Sequence, residues 1–537
     1  MVATGCSKVS ENAGPGGHAV GTIPGTLRYA DISEPTSMNP LLRLEAVGTD
    51  LDMLIHGFFF NLDDKMQFVP ELALEVPTYA NGGISKDGLT ITYHLRHGVK
   101  WQDGSPFTAA DAVFTTKAIL NDANNLQSRN GWDQLVKSNP ADAPDDYTVR
   151  FHLQRIYAPA ISTFFAEGGL YPVLPAHLLA KYPDLNRIPY NTHPVGLGPF
   201  KFGKWVHGDR IELEANPLYW RGPPKLKRII YKIVASDNTI LIQLKTHEID
   251  AWFRAPSNLY PQYQPLVDQG YVMQLKPGMV YSHIDLNQKK ALFNDIRVRQ
   301  AINYAIDKKK LLHDVTHDVQ IRAYSDQSQL SWAYEPNVVH YDYDPAKSRQ
   351  LLAEAGWKPG PDGIMEKNGQ KLAFNVSGVA GNSTGLATEA IVQQELKAVG
   401  VQVSIKNFPT EVYFNSYQQG GILQHGDYDA GFFAWVAGAD PDDKSIYDCR
   451  NIPPAGQNSA YWCDKTIQDA EDGALSSYDQ NVRKKYYSII QKEFALQSVV
   501  IVLWFQRQIF ITSPNFHGFK PAPATSSNWN SWEWTME

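Results

Sequence analysis

Between residues 372 and 405 the chain reads as strand, helix and strand. Apolar and β-branched residues occupy 372–376, an apolar-periodic stretch runs over 386–399 and is stopped by Gly400, and a second short apolar run fills 401–405. Such a βαβ unit lays two strands parallel beneath a covering helix, so the chain carries an α/β sheet. At 537 residues it is several times longer than one hydrophobic core needs, and two or more lobes are expected.

Other punctuation agrees with this class. Residues 25–30 predict an entry strand, and 90–95 and 149–153 predict two more, with a helix between them. Thr108 stands as that helix's N-cap, and Asp111 is placed to reach back to its N–H. Val298, Ala301, Ile302, Ala305 and Ile306 share one face of a helix predicted to run unbroken over 297–312. Asp344 and Pro345 open another helix, which carries Leu351, Leu352 and Ala355 and stops at Gly356. A long helix near 482–497 leads into 499–505, whose length and β-branching suit a buried strand.

Lys plus Arg number 49 and Asp plus Glu 56, a formal charge of −7 with no long basic run, which disfavours a nucleic-acid partner. No stretch approaches the roughly 20 apolar residues of a membrane-spanning helix. The 15 histidines are scattered without metal-ligand spacing, so neither a metal site nor a cofactor is expected. Gly196-Leu197-Gly198-Pro199 is not a dinucleotide fingerprint, because Pro199 would break the helix start.

Gly381-Asn382-Ser383-Thr384-Gly385 matches the GxSxG pattern of serine hydrolases, with His425 or His517 as a base by chain order. Residues 377–380 lengthen the turn beyond a nucleophile elbow, so an ordinary βα loop is preferred and no enzyme is expected. Cys449 and Cys463 lie in a loop rich in Pro, Gly and Asn. A bridge there would add roughly 3 kcal/mol and imply an oxidising compartment, free thiols being the alternative. Ala3-Thr4-Gly5-Cys6 resembles a bacterial lipobox, with Ala3 where a larger aliphatic is usual, and residues 7–17 read as a polar tether. A stray cysteine in a tail is the other reading.

Several separated segments resemble one known family. Pro70-Glu71-Leu72-Ala73, Asp87-Gly88-Leu89-Thr90 and the long run from Leu95 through Trp101-Gln102-Asp103-Gly104 to Asp111 are similar to the signature of family 5 extracellular solute-binding proteins of ABC importers. So are Gly196-Leu197-Gly198-Pro199-Phe200 and the helix beginning at Arg297. The resemblance implies an α/β, periplasmic binding protein-like II fold of the cluster C type, with two lobes, an extra subdomain and a two-strand hinge. It places a lipoprotein tether at 1–21, the main part of lobe I at 22–56, 191–281 and 504–537, its extra subdomain at 57–190, and lobe II at 282–503.

It further implies a monomer at the periplasm or cell surface. Such a chain captures a small solute, peptide first, and partners an ABC permease and its ATPase subunits, touching membrane only through a lipid anchor at Cys6. Oligosaccharide, metal chelate or another metabolite is the alternative solute. By resemblance Ser33, Glu34, Phe253, Arg254 and Trp435 line the cleft, Arg254 facing a ligand carboxylate, and Trp252 joins the aromatic set were sugar the solute. Peptide binders of the family set an Asp three residues after the cleft Trp to hold the α-ammonium. Here that position is Gly438, and Asp440 follows two residues on. A shifted loop offering Asp440, or loss of the ammonium site, are the two readings.

Overall fold

The computed structural model describes residues 21–537 apart from positions 44, 127, 130, 168–170, 524 and 525. Cys6 and the lipobox-like segment lie outside the described residues. Among those described, one sheet of eleven strands runs through the molecule. Its order begins Gln402–Ile405, Ala373–Ser377, Ala430–Val436, Val272–Leu286, Val500–Thr512 and continues Ala251–Trp252, Thr26–Asp31, Arg228–Ile233, Arg210–Ala215, Phe200–Val206. The short strand Ile321–Arg322 adds to Val500–Thr512.

Two antiparallel strands carry the chain from one lobe to the other. In Val272–Leu286 the first half pairs with the far end of Val500–Thr512, from Val272 opposite Thr512 to Pro277 opposite Arg507. The register then slips, and pairing resumes with Tyr281 opposite Phe505. On one side of the slip the pair joins Ala251–Trp252 of lobe I, and on the other it joins Ala430–Val436 of lobe II. A bulge weakens a ladder where it occurs, so 278–280 and 506 form the natural bending point. A Cβ at Gly278 would stand 2.6 Å from the Gln506 carbonyl oxygen, so the strands approach there more closely than any side chain permits.

The βαβ unit is present, with Ala373–Ser377 parallel to Gln402–Ile405 and Ser383–Ala398 between them. Thr108 donates its N–H to Asp111 at 3.0 Å at the head of Ala109–Leu120. The helix expected over 297–312 is instead two, Ile296–Ala305 and Lys308–Thr316. Ile306 is extended, and the Asp307 carboxylate accepts from the Lys310 N–H at 3.0 Å, capping a new helix where the apolar period alone suggested continuity. The buried strand predicted over 499–505 extends to Thr512, because polar Gln506, Arg507 and Gln508 continue the pairing.

Separate cores underlie the parts. Trp101, Trp132, Phe151 and Phe164 fill the extra subdomain around the sheet of Thr90–His94, Thr148–His152 and Ala141–Asp145. Tyr29, Leu213, Phe510 and Trp534 fill lobe I, and Ile302, Leu352, Leu396 and Trp504 fill lobe II. The lobes touch directly. Tyr157 donates its hydroxyl to Asp442 at 3.3 Å, Tyr478 to the Gly88 carbonyl at 3.1 Å, and Asn258 donates its amide to Ser383 Oγ at 3.4 Å. This is a closed arrangement. No helix among the described residues is long and apolar enough to cross a membrane.

Lobe II also buries three carboxyl groups together, those of Asp326, Asp443 and Glu471. Burial, with Asp442 and Asp326 nearby, pushes Glu471 up to about 8 against the opposing effects of its hydrogen bond with Asp443 and the charge of Lys444. In the unfolded chain the same group titrates near its ordinary 4.5. The folded state therefore prefers the protonated form, and its stability is full below the unfolded value and is lost as pH rises toward 8. Glu471→Gln is expected to unfold at higher urea than the parent at pH 8.5, by roughly 1–3 kcal/mol more than at pH 5. A difference that does not change with pH would contradict this account.

Candidate functional site

A cavity of about 620 Å³ lies between the lobes, on the register slip of the two hinge strands. That volume is within the range of sites that enclose drug-sized ligands. Each part of the molecule contributes wall: Phe253 to Ser257 from lobe I, Leu62 and Met66 from the extra subdomain, Met279 and Gln506 to Ile509 from the hinge, and Asn382, Thr384, Phe414 and 432–439 without Trp435 from lobe II. Aromatic and aliphatic side chains form most of it, with Ser257, Ser282, Gln320, Asn382 and Gln506 as uncharged hydrogen-bonding groups between them.

Phe253 is on this wall but is mostly buried within lobe I, stacked on Tyr29 at 4.9 Å and on Phe519 at 4.6 Å. Its neighbour Trp252 is buried against Tyr263 and does not reach the cavity, so it is not an aromatic surface for a sugar ring. Arg254 lines the cavity too, yet its guanidinium is already met by its own chain. It binds Asp50 at 2.7 Å and the Ala46 carbonyl at 2.9 Å, and Asp31 stands 3.6 Å away. Arg254 is therefore on the wall, as the resemblance implies, with its charge already met by carboxylates of its own chain.

Ser33, Glu34, Trp435 and Asp440 are not on the wall. Ser33 is exposed, and its N–H closes a turn on Asp31 at 2.9 Å while its carbonyl accepts from Tyr231. Glu34 accepts from the Trp205 indole at 2.8 Å and from the Gly208 N–H at 3.2 Å, and faces His207 at 3.0 Å, so it is spent on the outer strands of lobe I. Trp435 pairs in register with Tyr281 and lies edge-on to Phe433 at 5.6 Å, turned into the lobe II core.

Asp440 is held by Arg483 in a two-pronged pair of 2.7 and 2.5 Å. Arg483 is also over the Trp332 ring, and its side chain is 5% exposed. Asp440 is thus already engaged by a cation of its own lobe. Gly438 does line the cavity, and a Cβ there would stand 2.9 Å from the Asp440 carbonyl oxygen, so the folded loop has no room for a side chain at that position.

The hinge residues were not singled out from the sequence, although a signal was present. Gln506-Arg507-Gln508 interrupts an apolar run that resumes at Ile509, and a polar triplet inside a buried strand marks a place where the strand meets something other than core. Arg507 donates its backbone N–H to Gln320, and its guanidinium has no partner among the described residues. Glu167, also on the wall, accepts from the Leu62 N–H at 2.6 Å and is pushed up to about 8 by burial.

Ser383 opens the helix Ser383–Ala398, capped by Asn382, and its hydroxyl accepts from Asn258. His425 is stacked on Tyr417 and bonded to the Tyr417 carbonyl at 2.6 Å, while His517 lies in the short strand Phe516–His517 that pairs with Thr535–Met536. The GxSxG stretch is a helix cap with neither histidine assembled on it. Cys449 and Cys463 are joined, with Cα atoms 4.5 Å apart.

Comparison with known proteins agrees with this architecture. Residues 67–452 match the family model for bacterial extracellular solute-binding proteins, family 5. The oligopeptide-binding protein AppA of Bacillus subtilis (strain 168) is 29% identical over 516 residues, 93% of this chain and 89% of that one. A glutathione-binding protein, GsiB of Escherichia coli O1:K1 / APEC, is 28% identical over 501 residues, 91% of each chain. Among solved structures, AppA from Bacillus subtilis in complex with a nonapeptide superposes with a TM-score of 0.79 at 27% identity, covering 96% of this chain and 100% of that one. NikZ from Campylobacter jejuni in complex with Ni(L-His) gives 0.80 at 26%, with the same coverage. These relatives are substrate-binding proteins rather than enzymes. The chain belongs to the bacterial extracellular solute-binding proteins, family 5.

Proposed function

We propose that this chain captures short peptides in the inter-lobe cavity and delivers them to the permease of an ABC importer. The observation that carries the reading is the position of the cavity on the register slip of the hinge, with wall from both lobes. A solute that touches both lobes binds the closed form better than the open one, and this difference in affinity alone drives closure. Apolar walls with scattered amide and hydroxyl groups suit a peptide, whose side chains are varied and whose backbone repeats donors and acceptors. The AppA relative, whose structure is in complex with a nonapeptide, supports the same class.

Phe253, Gly438 and the hinge triplet are the contact residues in this reading, and Arg254 shapes the wall. The lobe boundaries given above, a monomeric state, a periplasmic or cell-surface location and lipidation at Cys6 belong to the same proposal. Thermal unfolding of the purified chain with pooled short peptides, pooled oligosaccharides and buffer tests it. A peptide at about 100 times its dissociation constant should stabilise by roughly 2.7 kcal/mol. A shift with oligosaccharides alone would overturn peptide capture.

A further inference from the structure

We infer that the cavity selects solutes bearing a carboxylate, with Arg507 as its anchor, and offers no fixed counter-charge to an amino end. This rests on the cavity being the solute site. Among the described residues on its wall, three carry charge: Glu167, Arg254 and Arg507. Arg254 is neutralised by Asp50 and Asp31. Glu167 is 2% exposed, is tied to the Leu62 N–H, and is pushed up to about 8 by burial, which disfavours its anion. Arg507 alone faces the cavity as a cation without a partner, on the hinge where both lobes converge.

A guanidinium in an apolar enclosure gains most from a planar, two-oxygen anion, which it can bind through two parallel N–H donors. An ammonium brought into the same space would meet one carboxyl group that is not ion-paired, Glu167, which is buried and already bonded to the Leu62 N–H. The position for one is Gly438, and the nearest acid, Asp440, is engaged by Arg483. The first turn of Ser383–Ala398, whose Asn382 and Thr384 line the cavity, adds positive potential of the same sign. Charge matching therefore discriminates by the acidic end of the solute rather than by its amino end.

Isothermal titration of the full chain with one short-peptide library in four forms tests this: free or acetylated at the N-terminus, acid or amide at the C-terminus. Acids are expected to bind more tightly than amides by about 10-fold or more, and acetylation to change little. Arg507→Gln should weaken the acids by roughly 10- to 100-fold and the amides far less, so that the preference for acids is lost, with Arg507→Lys retaining part of it. An oligosaccharide carrying uronic acids that binds through Arg507 while peptides do not would keep the carboxylate inference and remove the peptide. Equal binding of acids and amides by the parent chain overturns the inference, as does a requirement for the free amine that Glu167→Gln abolishes. Ala434→Trp, which fills the cavity, separates the two levels. If it leaves binding intact the cavity is not the site, and if it abolishes binding while acids and amides bind alike, only the role of Arg507 falls.

Discussion

Asp440→Ala is expected to lower the stability of the chain by roughly 3–5 kcal/mol, the loss typical when one member of a buried ion pair is removed. Arg483 would remain with its side chain 5% exposed, against Trp332 and Tyr487, with its paired carboxylate gone and only the charge of nearby Asp442 in its place. The magnitude is set by the stranded charge rather than by the pair's own attraction, which burial largely offsets. Asp440→Ala combined with Arg483→Met should therefore recover much of what the single change loses. Urea unfolding of the parent, both single variants and the double variant checks this. A double variant no more stable than Asp440→Ala alone would mean that the pair contributes through something other than charge compensation.

That pair also explains why the cleft was harder to read from the sequence than the fold. The βαβ unit over 372–405 and the caps at Thr108 and Asp344 depend on residues close together in the chain, and the structure has them where the spacing implied. The break at Ile306 was missed because apolar periodicity continues through it, while Asp307 decides the matter by a local cap. Asp440 looked available as a ligand for an ammonium until Arg483, 43 residues away, was seen to hold it. Arg254 is met by Asp31 and Asp50 from two other elements, a strand and a helix more than 200 residues earlier in the chain. Whether a charged side chain is free is a long-range property, and no local pattern reports it.

Arg507 is the converse case. It is flanked by Gln506 and Gln508 inside an otherwise apolar strand, and its guanidinium has no partner among the described residues. The two arginines on the wall thus exchange the roles their sequence context suggests. The one near the motif-like Trp252-Phe253 segment is held in an ion pair, and the one inside the strand lines the cavity.

The Cys449–Cys463 bridge closes a loop of 14 residues' separation, for which the chain-entropy model gives roughly 3 kcal/mol. Its folded geometry has independent support. Asn458, fully buried, donates its amide to the carbonyls of Asp448 at 3.1 Å and Trp462 at 2.6 Å, and Asp448 accepts from the Arg450 N–H at 2.7 Å. Trp462 packs beside Tyr447 and Phe494 in the lobe II core. These contacts hold the loop in place once the chain is folded, so the bridge acts chiefly by restricting the unfolded ensemble. A Cys449→Ser, Cys463→Ser variant is accordingly expected to lose about 3 kcal/mol in urea unfolding while binding solute within about twofold of the parent, because neither cysteine lines the cavity. Reduction of the parent by dithiothreitol should reproduce the loss. Binding weakened by about tenfold or more in the variant would show that the loop is coupled to closure, since the fold would then have transmitted a change from the loop to the cleft.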